Sequence, residues 1–144
     1  MASVRDVAAF ILSELGEMTA WKLQKLVYYS QAWHLVWKER PLFPEEIRAW
    51  ADGPVAPALY DLHRGVFRLS SLPVETQPLD EEEARVVRKV LAFYGQFSAV
   101  QLSELTHRER PWKDTRRGLP AGAPGNGVIT HNAMAEFYSA LVAG

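Results

Sequence analysis

The stretch Thr19–Glu39, TAWKLQKLVYYSQAWHLVWKE, constrains this chain more than any other part of it. At 100° per residue, Leu23, Leu26, Val27, Ser30, Trp33, His34 and Trp37 fall on one side of a helix. Tyr29 and Val36 extend that side, and Tyr28 and Leu35 lie opposite. A helix that is apolar in most directions and only lightly charged belongs in the middle of a bundle. Ser30 and Ala32 are small enough to let other backbones come close. Thr19 can cap the N-terminus, although Lys22 stands where a capping-box carboxylate would be. The sequence therefore predicts a buried central helix whose tyrosines and tryptophans pack in the core.

The flanking segments supply partners for it. Val4–Leu15 is a short amphipathic helix striped by Val4, Val7, Ala8, Ile11 and Leu15, with Ser3 and Asp6 as a capping box and Gly16 as its stop. The prolines of RPLFPEE forbid a continuous helix. Ile47, Ala49 and Ala51 alternate with Arg48, Trp50 and Asp52, which predicts a short strand. Asp52-Gly53-Pro54 then reads as a turn. A helix with Pro57 in its first turn follows to about Arg64, and VFRL reads as a second short strand. SSLPVETQPL is an extended loop. Asp80 and Glu83 form the strongest capping box in the chain, opening a helix that Gly95 ends, and Ser98 with Gln101 opens the next. Pro111 breaks that helix, so Trp112 is expected in an irregular segment. GLPAGAPGNG reads as a flexible or special-geometry loop, and a last helix covers about His131–Val142.

The expected fold is mainly α: a single domain over residues 1–144, built as a compact helical bundle around a buried central helix, with a small antiparallel β element (α+β). A chain of 144 residues can support such a core without staples. It has no cysteine, which excludes disulfides and thiol chemistry. The net charge of −1 gives no global attraction to nucleic acid. No signal-peptide pattern or membrane-length apolar run is present, so a cytoplasmic location is expected. His34, His63, His107 and His131 lack metal-ligand spacing, and GAPGNG lacks the Lys-Ser/Thr end of a phosphate loop. The expectation is no catalytic residue, no cofactor and no metal.

Three blocks resemble a known family. TAWKLQKLVYYSQAWHL, PLFPEEIRAWADGPVAPALYD and LTHRERPWKDTR are similar to the characteristic segments of the Panacea domain, also called the SocA-like antitoxin domain. The most specific parts are Lys22–Leu26 before Tyr28-Tyr29, Trp50 with Gly53-Pro54-Val55, and Thr106-His107 before Pro111-Trp112. The likeness runs from about Val4 to Tyr138. It implies a mainly helical fold with a small sheet, and an antitoxin of a bacterial or phage toxin–antitoxin system. The implied partner is a co-encoded protein toxin, small alarmone synthetase-like enzymes being among the toxins of the family. The best-known relative acts instead as an adaptor delivering its toxin to a protease.

The leading expectation is accordingly a non-enzymatic module that neutralises its toxin by direct binding. The alternatives are a protease adaptor, a DNA-binding autoregulator of its own operon, or an enzyme using His107 or Asp52, which a deep polar cleft joining those two would favour. Tryptophan and arginine are favoured interface anchors when exposed. The candidate partner-binding residues are therefore Trp50, Asp52, His107, Arg108, Arg110, Trp112, Lys113, Arg116 and Arg117, the basic ones doubling as the candidate nucleic-acid contact.

Overall fold

The computed structural model describes residues 1–143. In chain order the elements are α1 (Val4–Leu15), β1 (Met18–Thr19), α2 (Ala20–Lys38), β2 (Ile47–Trp50), β3 (Gly53–Val55), α3 (Pro57–His63), β4 (Arg68–Leu69), α4 (Glu81–Tyr94), α5 (Ala99–Arg108), α6 (Arg110–Thr115), β5 (Val128–Ile129) and α7 (His131–Ala143). Helices α1, α4, α5 and α7 all pack on α2. Every residue of α2 from Leu23 to Ala32 is buried, Tyr28 as fully as Tyr29. The helix thus has no exposed side along those turns, and the buried face covers its whole circumference, polar positions included. Its two ends emerge, Trp21 and Lys22 half-buried at the start and Trp37 exposed near the finish.

Burying a helix on all sides forces its polar side chains to find partners inside. Gln24 Nε2 donates to Ala56 O (3.3 Å), and its Oε1 accepts from Ala56 N (2.9 Å). Gln31 does the same for the proline-rich connection, donating to Phe43 O (2.8 Å) and accepting from Leu42 N (2.7 Å). Ser30 Oγ returns to Leu26 O. His34 is a core histidine as expected, with Nδ1 2.7 Å from Arg40 O. Tyr29 and Tyr138 both donate to Glu109 Oε1, at 2.7 and 2.8 Å, which joins α2, α7 and the α5–α6 junction at one carboxylate.

The helix starts follow local chemistry. The boxes Ser3–Asp6, Asp80–Glu83 and Ser98–Gln101 are all closed in both directions, and Thr19 Oγ1 accepts from Lys22 N.

Two small antiparallel sheets complete the fold: β1 with β4, and β3-β2-β5. Ile47 and Ala49 of β2 are buried while Arg48 and Trp50 are half-buried, the alternation expected of a strand lying on helices. Three details differ from the sequence reading. The turn after β2 is made by Ala51 and Asp52, so that Gly53 and Pro54 already belong to a strand, paired with Trp50 and Ala49. Pro54 is tolerated because β3 is an edge. The expected VFRL strand shrinks to Arg68–Leu69 and pairs with Met18–Thr19. Finally, Pro111 does not lead into irregular chain. The break falls at Glu109, whose extended backbone (φ −96°, ψ 143°) ends α5 and starts α6, and Pro111 sits in the first turn of α6, where its missing N–H costs nothing.

Candidate partner-binding site

The expected site residues separate into a set around the β2–β3 turn and an outward set on α5 and α6. Trp50, Asp52, His107, Trp112 and Arg116 gather around the β2–β3 turn. Trp112 Nε1 donates to Trp50 O (2.8 Å), and Arg116 Nη1 to Ala49 O (3.0 Å). His107 stacks on Trp112, with centroids 4.1 Å apart and planes at 24°, and the Arg116 guanidinium lies 5.1 Å from the same ring. Arg116 is 5% exposed and also donates to Ala123 O, so its charge serves the interior. Trp50 meets Tyr60 edge-on (5.0 Å) and donates to Asn126 Oδ1 (3.0 Å). Arg48 Nη1 donates to Asn126 O, and Ala49 N donates to Gly127 O. The glycine-rich loop is thereby tied to β2 at several points.

The outward set is Arg108, Arg110, Lys113 and Arg117, all exposed at the end of α5 and along α6. Arg110 and Arg117 both pair with Asp114, at 3.3 Å each. The basic stretch therefore does not form one face: one member is interior, and two share a carboxylate.

The sequence reading passed over the residue at the centre of the concave surface, Trp21 in the first turn of α2. Three depressions meet at its half-buried ring. The largest, about 620 Å³, runs between β1, β4 and the start of α5, bounded in part by Lys22, Lys25, Asp52, Phe67 and Ser103. A second of about 370 Å³ lies between Trp21, Trp50, Asp52 and the glycine-rich loop. A third of about 250 Å³ opens beside Tyr60, His63 and Phe67. Phe67 and Val100, 70% and 66% exposed, edge the largest one. Asp52 lines this cleft, whereas His107 lies behind it against Trp112 and does not, so the two residues are not joined in one pocket.

Lys25 is the unusual wall of the cleft. Its side chain is 1% exposed, and its Nζ lies 5.3 Å from the Trp21 ring centroid. The stem passes beneath Gly53, which takes a φ of +127° and has no Cβ to meet it. Burial pulls the Lys25 ammonium down to about 8, partly offset by the Asp52 charge. Burial likewise lowers His107, with Lys25 and Arg116 acting in the same direction and Asp52 against them. A signal for Lys25 was present in the sequence, as a charge placed inside a helix read as buried.

The fold is a helical bundle with two small antiparallel sheets, and it carries an aromatic concave surface at the start of its central helix. The chain matches the family described as antitoxin SocA-like, Panacea domain, over residues 23–113, more than half its length, and belongs to that family. The matched span is shorter than the Val4–Tyr138 suggested by the sequence blocks, leaving α1 and α7 outside it. The chain is similar to the antitoxin SocA of Caulobacter vibrioides (strain NA1000 / CB15N), with 33% identity over 104 residues, 62% of this chain. It spans 55% of that relative's length. No solved structure matches it. Among the described residues, no helix is long and apolar enough to cross a membrane.

Proposed function

We propose that this protein is the antitoxin of a bacterial or phage toxin–antitoxin pair, and that it neutralises a co-encoded protein toxin by direct, non-catalytic binding in the cytoplasm. Family membership supports the antitoxin role. The observation that carries direct binding is the convergence of three depressions on Trp21, rimmed by exposed Phe67 and Val100. Aromatic anchors beside a pocket are the usual composition of an interface hot spot. In this reading Trp50 and Asp52 contribute to the surface directly. His107, Trp112 and Arg116 hold it in place from behind, and Arg108, Arg110, Lys113 and Arg117 offer a separate charged rim.

The test is the purified protein mixed with the product of the adjacent gene, without any protease. A stable complex on a sizing column together with loss of toxin activity is expected. A toxin that stays fully active, and disappears only when a cellular protease is added, would establish delivery instead. Sequence-specific binding of the isolated protein to its own promoter at physiological salt would establish the autoregulator.

A further inference from the structure

We propose that Lys25 is the recognition point for a carboxylate that the partner protein inserts, flanked by apolar residues, into the cleft between β1, β4 and α5. This rests on the direct-binding reading above and names the chemistry of its occupant. The starting observation is an imbalance among the cations of the cleft. Three of them line it. Lys22 Nζ donates to Gly95 O at 2.8 Å, and Arg68 Nε to Glu17 at 3.0 Å. Lys25 has neither a hydrogen bond nor an ion pair within 4 Å among the described residues, although it is the most buried of the three.

A buried cation without an acceptor is costly, and it is retained where it meets a ligand or a proton-transfer step. Asp52 is the nearest anion and acts on Lys25 through space, but it does not form an ion pair with it. The groups facing Lys25 are Asp52 from the β2–β3 turn, His107 from α5, and Lys22, Glu17 and Arg68 around the cleft. Since Glu17 is already paired with Arg68 and Asp52 makes no ion pair with Lys25, the open end of the cleft has no anion committed to Lys25. A carboxylate is the acceptor that gains most from a desolvated ammonium, through a charge-assisted bond.

The surroundings fix the rest of the ligand. Trp21, Met18, Phe67, Ala99 and Val100 make the walls mostly apolar, and the volume of about 620 Å³ exceeds the need of one acidic side chain. A segment with apolar neighbours on both sides of an Asp or Glu fits that space, as does a chain terminus whose own carboxylate reaches the floor. A free small anion would leave the walls wet.

The test uses peptides, so it does not depend on knowing the toxin. The probes are acetyl-Leu-Glu-Leu-amide, its Gln counterpart, and acetyl-Leu-Leu with a free C-terminus, followed by NMR at the Trp21 indole N–H and the Lys25 Cε. The Glu peptide should bind about 10- to 100-fold more tightly than the Gln peptide. Tighter binding of the free-terminus peptide would identify a C-terminal carboxylate as the natural group. The bound carboxylate should also raise the Lys25 titration above its free value of about 8, so that binding weakens as pH rises from 7 to 10. Lys25→Met should abolish the Glu preference. If that variant fails to fold, the wild-type Glu-against-Gln comparison decides alone. Equal affinity of the two peptides, or no response at Trp21 and Lys25 to any of the three, overturns the proposal. Toxin bound equally well by wild type and Lys25→Met would overturn it while leaving direct neutralisation standing. Selective Glu-peptide binding with no toxin complex would do the reverse.

Discussion

A Cβ at position 53 would stand 2.5 Å from Lys25 Cε and 3.2 Å from its Nζ. A side chain at position 53 would therefore have to displace the end of the buried lysine. Gly53→Ala combines this overlap with a φ of +127°, which side-chain-bearing residues rarely adopt. We expect a loss of about 2 kcal/mol or more in a urea melt. Combining it with Lys25→Ala should restore part of that loss, because the overlap goes while the dihedral strain stays. Losses that simply add would disprove the steric link.

Gln31 holds the Leu42–Phe43 backbone by two bonds, both buried. Gln31→Leu keeps the approximate volume and leaves a buried N–H and a buried C=O without partners. The expected cost is about 3 kcal/mol. Chemical denaturation measures it, and a change under about 0.5 kcal/mol would mean that the connection finds other partners.

Acid should destabilise the fold through its histidines. His34, His63 and His107 are all lowered from 6.5, chiefly by burial. A group with a depressed folded-state pKa contributes stability that is present above 6.5 and lost as pH falls through the folded value. Gln24 Nε2 lies 3.0 Å from His63 Nε2, and protonation would set donor against donor there. Glu109 acts oppositely. Burial raises it above 4.5, so its contribution grows as pH falls towards that value. Scanning Tm from pH 7.5 to 5 should show a steeper fall in wild type than in His63→Gln, by about 3 °C. Parallel curves would exclude His63 as a source of the slope.

Trp112 and Phe67 should separate scaffold from surface. Trp112 is packed against the core, stacks on His107 and donates to Trp50 O. Trp112→Ala should cost about 3 kcal/mol of stability and weaken partner binding only as a consequence. Phe67 is 70% exposed, and Phe67→Ser should leave the circular-dichroism melt within about 0.5 kcal/mol of the parent. Toxin affinity should nevertheless fall by about 2 kcal/mol if Phe67 is an anchor. The opposite pattern would exchange the two roles.

Elements governed by local chemistry were legible in the sequence. Asp80 with Glu83, Ser98 with Gln101, and the apolar run of α2 carry their instructions within a few residues. Arg116 was not, because an arginine in a basic run reads as solvated until β2 and the glycine-rich loop bring Ala49 O and Ala123 O to it. Trp112 was misplaced for a similar reason. A proline signals a break without saying whether the chain restarts, and here Glu109 takes the break because two tyrosines fix its carboxylate. Trp21 looked like one more core aromatic. Its exposure is set by α3, β4 and the glycine-rich loop, which stop short of covering it.

The first two turns of α2 grip three separate strips of chain around the cleft. Ala20 N donates to Phe67 O (2.9 Å), Lys22 Nζ donates to Gly95 O (2.8 Å), and Gln24 clamps Ala56. The rim is fastened by its main chain, so the outward side chains of Phe67, Arg68 and Val100 are free of any duty to the scaffold beyond the exposed Arg68–Glu17 pair. A lineage carrying such a frame can exchange those residues one at a time and reshape the mouth of the cleft without passing through an unfolded ancestor.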